Sequence, residues 1–266
     1  MSLRQEHWEG GAAYEQFMGR WSRRLAPLLV EFAEVRDGDR VLDVGSGTGS
    51  LALELSATRR VEVVGIDPSA AFVEHARTRA DNQRVRFEVG DAQALPYERA
   101  SFDTCLALLV INHVPVPPKA VSEMRRVTRG GGRVAAAVWD YGDGMTMLRA
   151  FWDAAVALDP AAEFRHERHM PYCRRGELSA LWTESGLQEV EETALVVPME
   201  FASFIDVWTP FLGGQGPAGS YVASLTLDRQ TAMRERLRRV LLPGDAAGPI
   251  RLEARAWAVR GRTPHR

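Results

Sequence analysis

The chain has 266 residues, of which 33 are basic and 35 acidic, so its formal net charge is −2. A chain of this length forms one large domain or two small ones and can bury a full core without disulfides. The near balance of charge argues against a strong nucleic-acid interface. Lys119 is the only lysine, and it follows two prolines. This excludes a P-loop and leaves imine catalysis a single candidate.

Cysteine usage and hydropathy indicate a reducing, aqueous compartment. Cys105 and Cys173 lie far apart in the sequence and form no CxxC pair, so no disulfide framework is predicted. The amino-terminal sequence lacks the apolar core of a signal peptide. The longest strictly apolar stretch, Cys105–Ile111, is too short to cross a bilayer. We therefore expect a cytoplasmic protein without a membrane partner, either a monomer or a homodimer.

Strand-like and helix-like segments alternate from about residue 40. Five strands are predicted, over residues 41–44, 61–66, 85–89, 104–110 and 133–139. Alternation with helices requires right-handed parallel crossovers, so it predicts a doubly wound, mostly parallel α/β sheet. The alternating polarity of the third strand places it at an edge, whereas the first and fourth strands are central. A glycine turn, 130–132, is expected to precede the fifth strand.

The second half of the chain is less regular. Helical faces are predicted at residues 148–156 and 178–182, and a mostly helical stretch at 201–250. Residues 188–197 and 252–260 complete the sheet as strands six and seven. No linker separates the halves, so we predict one domain. Its parts are a core of about 36–140, 170–200 and 251–262, and a helical lid formed by residues 1–35 and 201–250.

A glycine-rich loop, VGSGTG (44–49), joins the first strand to the following helix. Its glycines allow backbone N–H groups to approach a ligand at the helix amino terminus. Dinucleotide-binding loops read G-x-G-x-x-G, which requires a glycine at position 50. That residue is Ser50, and the third glycine is Gly49. The spacing therefore disfavours a dinucleotide-dependent oxidoreductase, which stays a less favoured alternative.

Acidic residues follow the next two strands. Asp67 ends the second strand, where a carboxylate can accept both hydroxyls of a ribose. Asp91 follows the third strand and can accept a bond from an exocyclic amine, while the Ala92 N–H can donate to a ring nitrogen. Parallel strands present their carboxyl ends at one edge of the sheet. The sequence therefore predicts neighbouring contacts for a ligand chain, a ribose and an adenine.

These motifs resemble the class I S-adenosylmethionine-dependent methyltransferases, especially the small-molecule group called methyltransferase type 11. The segment 14–23 resembles the helix that covers the cofactor in that group. Where the family has Pro-Gly-Gly before the fifth strand, this chain has three glycines. The matching pieces are DVGSGTG (43–49), GIDPS (65–69), GDAQALP (90–96), SFD (101–103) and EMRRV (123–127).

The resemblance implies S-adenosyl-L-methionine as cofactor and S-adenosyl-L-homocysteine as product. It places the glycines of the loop under the methionine part, and Tyr14 and Arg20 near the methionine carboxylate. Asp43 is expected to fix the loop or to meet the amino group. The implied cofactor site consists of Tyr14, Arg20, Asp43, Gly45, Gly47, Gly49, Asp67, Pro68, Ser69, Asp91, Ala92 and Leu108.

Candidates for the acceptor side are aromatic. Core packing of a helix explains two of them, Phe151 and Trp152, about as well as substrate binding does. His113, directly after the fourth strand, is a weak candidate for a general base, and a structural role is preferred for it. Residues 111–114 also lack the motif of DNA-base methyltransferases. The acceptor candidates are Trp139, Phe151, Trp152, Trp208 and Phe211.

The segment around His166, His169 and Cys173 has borderline spacing for metal ligands. A metal site needs further ligands, and the neighbouring arginines would repel a cation. We therefore predict no metal and a solvated loop in this segment.

Together, the residues and the resemblance predict methyl transfer to a small-molecule acceptor by in-line displacement. Such a reaction needs alignment and exclusion of water, and neither a metal nor a covalent nucleophile. The alternative is a non-catalytic protein that binds an adenosyl ligand. The sequence does not predict the acceptor or the atom that is methylated.

Overall fold

The computed structural model describes residues 11–81, 83–243 and 248–265. At its centre is a seven-stranded sheet in the order β3-β2-β1-β4-β5-β7-β6. Strands β1 to β5 pair in parallel, and β7 runs antiparallel to both of its neighbours. The predicted doubly wound, mostly parallel sheet is thus confirmed. The strands are β1 (Arg40–Val44), β2 (Glu62–Asp67), β3 (Val85–Val89), β4 (Phe102–Leu108), β5 (Thr128–Trp139), β6 (Gln188–Phe201) and β7 (Ile250–Arg262).

Helices cover both faces of the sheet, and a π-helix, Glu15–Gly19, joins the first two of them. Short 3₁₀ helices cover Ile111–His113, Pro160–Arg165, Glu167–His169 and Thr209–Gly213. The α-helices are α1 (Gly11–Tyr14), α2 (Arg20–Phe32), α3 (Ser50–Thr58), α4 (Ala70–Arg79), α5 (Pro117–Val127), α6 (Thr146–Leu158), α7 (Glu177–Glu184), α8 (Phe204–Trp208), α9 (Gly216–Ala223) and α10 (Leu227–Leu241).

Parts of the predicted lid, residues 1–10 and 244–247, lie outside the described residues, as does the stretch on which the signal-peptide prediction was made. Within the described parts of the chain, no helix is both long and apolar enough to span a membrane.

The burial of the strands follows their place in the sheet. Six of the seven residues of β4 are buried, because the strand lies between β1 and β5 and is covered by helices on both faces. β3 alternates between buried and exposed residues at one edge. Ser69 caps α4 by accepting a hydrogen bond from the Phe72 N–H. The sequence pattern therefore predicted both the central strands and the edge correctly.

The prediction of a glycine turn before the fifth strand is wrong. β5 begins at Thr128, so the three glycines lie inside the strand, where its register against β4 shifts. Gly131 has φ +71°, and a Cβ on Gly132 would lie 2.5 Å from the Asp103 carbonyl oxygen. The glycines therefore permit an irregular start of the strand and a close approach to β4.

The carboxyl-terminal half completes the sheet and its core. β6 and β7 pair over almost their whole length. α7 packs on both strands, and the Trp182 Nε1–H donates to the Val134 carbonyl of β5 at 2.9 Å. One continuous buried apolar cluster extends from Phe17 to Val259. Elements from both halves of the chain thus share a core.

We expect Trp182→Ala to lower the free energy of unfolding by about 3–5 kcal/mol, because it removes a fully buried ring and its hydrogen bond. The control is Leu227→Ala, whose side chain is 80% exposed and for which we expect a change of under about 0.5 kcal/mol. Urea unfolding followed by circular dichroism measures both values. Equal effects of the two substitutions would contradict the packing of α7 described above.

Candidate active site

A cavity of about 280 Å³ opens at the carboxyl edge of the sheet. The loops after β1, β2, β3 and β4 form one side of it, and the residues after β5 form another. The helical segment from α1 to α2 also reaches it, through Tyr14 and Met18. Nine of the predicted cofactor residues line this cavity: Tyr14, Gly45, Gly47, Asp67, Pro68, Ser69, Asp91, Ala92 and Leu108.

The three glycines of the loop after β1 all have positive φ, but for different reasons. A Cβ on Gly45 would come within 2.3 Å of the Val110 side chain, so this position needs glycine for close packing. A Cβ on Gly47 would meet no atom within 4 Å, because the residue faces the cavity. Gly49 is the N-cap residue of α3 and does not line the cavity. Glycine at position 47 therefore leaves space for a ligand.

The Asp67 carboxylate connects two loops. Its Oδ2 accepts the Gly47 N–H and its Oδ1 accepts the Ser69 N–H, each at 2.9 Å. Burial raises the pKa of this carboxyl above its ordinary value, although both hydrogen bonds act in the opposite direction. Each oxygen keeps a second lone pair. Asp67 can thus hold the loops in place and still accept hydrogen bonds from a ligand in the cavity.

The loop after β3 is more exposed. Asp91 is exposed and accepts the Gln93 N–H at 2.8 Å, while Ala92 is buried. The Gln93 side chain accepts the Val116 N–H at 3.1 Å, which ties this loop to the segment before α5. Gln93 was not among the predicted residues, and its only signal in the sequence is its place beside Asp91.

A second cavity of about 30 Å³ lies between β1 and the start of α3. Asp43 lines it and accepts the Ala52 N–H through Oδ2 at 3.1 Å. Three buried oxygens here have no hydrogen-bond partner among the described residues: Asp43 Oδ1, Ser46 Oγ and Ser50 Oγ. Burial raises the pKa of the Asp43 carboxyl to about 7, and the nearby Asp67 adds to the rise. Such groups are costly unless a water or a ligand satisfies them.

Arg20 does not line either cavity. Its guanidinium lies over the rings of Trp21 and Phe201 at 4.5 and 4.7 Å. It also pairs with the Asp206 carboxylate at 2.8 Å. The side chain therefore joins α2 to α8, rather than standing beside Tyr14 in the cavity wall.

Only one of the five aromatic acceptor candidates lines the cavity. Trp139, at the end of β5, does so, together with Tyr141 and His113. Phe151 and Phe211 stack on each other with ring centroids 4.5 Å apart, and Trp208 lies 6.3 Å from Phe211. Trp152 packs edge to face on Phe151 at 5.2 Å. These four rings form an aromatic cluster outside the cavity lining. For Phe151 and Trp152 this agrees with core packing, the alternative to substrate binding.

Residues 201–243 and 248–250, the described parts of the second predicted lid segment, contribute nothing to the cavity lining. They reach it indirectly, because Phe211 contacts Phe17 edge to face at 5.4 Å and Phe17 precedes Met18. The structure thus adds Met18, Phe72 and Tyr141 to the wall, of which only Met18 lies in a segment marked by the sequence, 14–23. Their only common signal is apolar character in segments that flank the motifs.

His113 lines the cavity and is half-buried. Its Nε2 lies 3.1 Å from the Asn112 Nδ2. The neighbouring Asn112 is buried. The position of His113, in the 3₁₀ helix after β4, therefore combines contact with the cavity and a contact with the adjacent residue.

The prediction of a solvated loop at residues 166–173 is wrong for His166, Glu167 and Cys173, although His169 is exposed. His166 and Glu167 are buried. The Glu167 carboxylate accepts the Trp152 Nε1–H at 2.6 Å, and the His166 ring stacks on Trp152. Burial lowers the pKa of His166 to about 4, with Arg168 contributing. Across the part of the chain that the structure describes, no group of three or more histidine, cysteine or carboxylate residues could hold a metal ion.

Comparison with known proteins places this geometry among methyltransferases. Residues 42–136 match the family model of a methyltransferase domain. The chain is 32% identical to the methyltransferase GfsG of Streptomyces halstedii over 208 residues, which are 74% of this chain and 72% of that protein.

One further relative and one solved structure of similar fold share less of the sequence. The chain is 38% identical to the 27-O-demethylrifamycin SV methyltransferase of Amycolatopsis mediterranei over 139 residues, and this match spans half of each protein. Its fold matches phosphoethanolamine N-methyltransferase 2 of Haemonchus contortus, solved with phosphomonomethylethanolamine and S-adenosylhomocysteine. That match has a TM-score of 0.60 and 18% identity, and covers 96% of this chain and 57% of the other.

The buried Asp43 carboxyl makes stability depend on pH. Its raised pKa means that the folded state keeps the proton up to about pH 7, whereas the unfolded chain loses it near 3.8. Unfolding therefore releases this proton between those values, so the Asp43 contribution to stability falls as the pH rises to 7 and is constant above it. Asp43→Asn removes the effect and leaves an oxygen to accept the Ala52 N–H.

We expect the stability of Asp43→Asn relative to the wild type to increase by about 2–3 kcal/mol between pH 5 and pH 8. Urea unfolding of both proteins at the two pH values gives the difference. The pH-independent effects of the substitution cancel in this comparison. A relative stability that is the same at both pH values would contradict a neutral, buried Asp43.

Proposed function

The chain belongs to the class I S-adenosylmethionine-dependent methyltransferases, and we propose that it methylates a small, uncharged and mainly apolar molecule. One observation carries the proposal: the glycine loop and the ends of β2 and β3 line the same cavity as His113, Trp139 and Tyr141. A ligand held by the strand ends would therefore share its space with an acceptor. Those predicted residues that line the cavity would thus form two adjoining halves of one site.

The residues present fit the cofactor. Gly47 leaves open space under the loop, and Asp67 retains lone pairs that can accept ribose hydroxyls. Asp91 and Ala92 stand at the next strand end, where the adenine would bind. The oxygens of Asp43, Ser46 and Ser50 that have no partner would face the charged amino group of the methionine part, directly or through a water. We therefore propose these residues, with Tyr14, Pro68, Ser69 and Leu108, as the cofactor site.

Bound S-adenosylmethionine supplies a methyl group on a positively charged sulfur, which is already a strong electrophile. The protein has to align the acceptor behind that carbon and keep water away. Leu108, Leu109 and Val110 form an apolar stretch of wall at the end of β4. Tyr14 and Met18 cover the cavity from the helical segment. The second predicted lid segment, 201–250, would act by supporting this cover through Phe211 and Phe17.

The chemistry of the wall supports an uncharged acceptor. Beyond the strand ends, the cavity is bounded by Met18, Val114, Pro115, Trp139 and Tyr141. No lysine or arginine is among the described residues that line it, so an acceptor carboxylate or phosphate would find no permanently charged side chain to pair with. The relative that is named for the methylation of demethylrifamycin SV also supports a small molecule.

We expect wild-type protein to bind S-adenosylhomocysteine in titration calorimetry. Asp67→Ala and Asp91→Ala should each weaken this binding by about 1–3 kcal/mol, because each removes a hydrogen-bond acceptor from the site. Asp228→Ala is the control, since Asp228 is exposed on α10 and outside both cavities. Asp91 is exposed and makes no hydrogen bond to the glycine loop. Weaker binding in Asp91→Ala would therefore reflect a lost ligand contact and not a disordered glycine loop.

Unchanged affinity in both variants would contradict the site, and no binding by the wild type would contradict the function. Transfer of a labelled methyl group to a panel of neutral hydroxyl-bearing and amine-bearing compounds then tests catalysis. Tight binding without transfer to any of them would favour the alternative of a non-catalytic adenosyl-ligand protein.

His113 is the proposed general base for an acceptor that must lose a proton. We expect His113→Ala to lower kcat at saturating cofactor by about 10²–10⁴-fold. Its affinity for S-adenosylhomocysteine should stay within about twofold, because the residue lies on the acceptor side. A kcat that equals the wild-type value would assign His113 a structural role instead.

A further inference from the structure

The helical segment above the cavity contains a π-helix, Glu15–Gly19. π-helices are rare and occur frequently at functional sites. Tyr14 and Met18 line the cavity, and Phe17 packs against Phe211. The segment therefore contacts the ligand space on one side and the aromatic cluster on another. Glu15 lies between these residues and lines neither cavity.

The Glu15 carboxylate joins three elements. Its Oε1 accepts the Thr48 hydroxyl of the glycine loop at 2.5 Å and pairs with the Arg79 guanidinium of α4 at 3.1 Å. Its Oε2 pairs with Arg23 of α2. Arg79 also donates to the Thr48 carbonyl at 2.9 Å. Glu15, Thr48, Arg79 and Arg23 are hereafter the Glu15 cluster.

Glu15 and Arg79 of the Glu15 cluster are largely shielded from water, whereas Arg23 is exposed. The Glu15 side chain is 16% exposed, and that of Arg79 is 26% exposed. Burial lowers the pKa of both arginines, and for Arg23 the nearby Arg79 adds to this effect. Charge-assisted hydrogen bonds in such a setting are stronger than those on an open surface. Without the carboxylate, two neighbouring guanidinium groups would repel each other.

Gly19 is shaped to the same cluster. A Cβ at this position would lie 2.7 Å from the Glu15 carboxyl carbon and 2.8 Å from its Oε2. The φ of Gly19 is −57°, which any residue adopts, so space and not conformation explains the glycine. Glycine at position 19 lowers the helix propensity there, but it leaves room for the Glu15 carboxylate.

We propose that Glu15 is a positioning residue that holds the segment 14–19 closed over the cofactor cavity and fixes the glycine loop through Thr48. The proposal rests on the proposed function, because it takes the ligand of that cavity to be the cofactor. Glu15 touches no ligand itself. Its loss should let the cover open and the loop move, so the cofactor leaves faster while the chemistry of the closed state is unchanged.

We expect Glu15→Gln to raise the Kd for S-adenosylhomocysteine and the KM for S-adenosylmethionine by about tenfold, since the charge is lost while the Thr48 contact is retained. The kcat at saturating cofactor should stay within about twofold. Gly19→Ala should weaken binding in the same direction, although alanine favours the helix. The matched control is Glu31→Gln, which removes the exposed ion pair of α2 with Arg59 outside both cavities.

Amide hydrogen exchange of the unliganded proteins supplies a readout that needs no cofactor. Glu15→Gln should speed exchange in residues 14–23 and 45–50, and Glu31→Gln should leave both segments unchanged. A thermal shift that falls without any change in Kd or KM would identify a merely structural contact and overturn the proposal. So would cofactor affinity within about twofold of wild type in both Glu15→Gln and Gly19→Ala.

The outcomes separate this proposal from the proposed function. If wild-type protein binds no S-adenosylhomocysteine, the proposed function fails, and with it the assignment of the cavity ligand. If wild type binds and the Glu15 and Gly19 variants bind equally well, only the positioning role fails. Faster exchange in both segments together with weaker binding supports the proposal.

Discussion

The site depends on two hydrogen bonds to one carboxylate. Asp67 accepts the Gly47 N–H and the Ser69 N–H, so the loop after β1 and the turn after β2 are held at a fixed separation. Parallel pairing brings the two strand ends to the same edge, and the carboxylate then locks their loops. The cavity wall, the space under Gly47 and the start of α3 all follow from this arrangement. The cost is a buried acidic group whose pKa is raised.

A second constraint is a group of buried polar atoms without hydrogen-bond partners that lies beside the loops joined by Asp67. Asp43, Ser46 and Ser50 each keep a buried oxygen without a partner among the described residues. Folding alone would select against such groups, because each costs free energy comparable to a lost hydrogen bond. They lie together in one small cavity next to the glycine loop. The arrangement of these polar groups therefore suits ligand binding more than maximal stability of the fold.

Packing connects the helical segment that covers the cavity to the core. The π-helix contributes Met18 to the cavity wall, and its Phe17 packs against the aromatic cluster around Phe211. The cluster explains why Phe151, Trp152, Trp208 and Phe211 are aromatic although none of them reaches the cavity. Large rings at helical spacing are compatible with either a pocket or a core, and their position relative to the cavity decides between them. Trp139 differs because it stands at a strand end.

The sequence by itself determined the α/β class, the central and edge strands and the strand-end residues, because period and turn chemistry are local properties. It also predicted eleven residues of the cavity wall, most of which follow parallel strands and therefore meet at one edge of the sheet whatever the helices do. Only the tertiary structure decided that Arg20 pairs with Asp206, that the segment around His166 is buried, and that Met18 and Tyr141 line the cavity. These outcomes depend on contacts between residues distant in the chain, which no local pattern encodes. The irregular start of β5 is another such outcome, because a side chain on Gly132 would clash with the Asp103 carbonyl of the neighbouring strand β4.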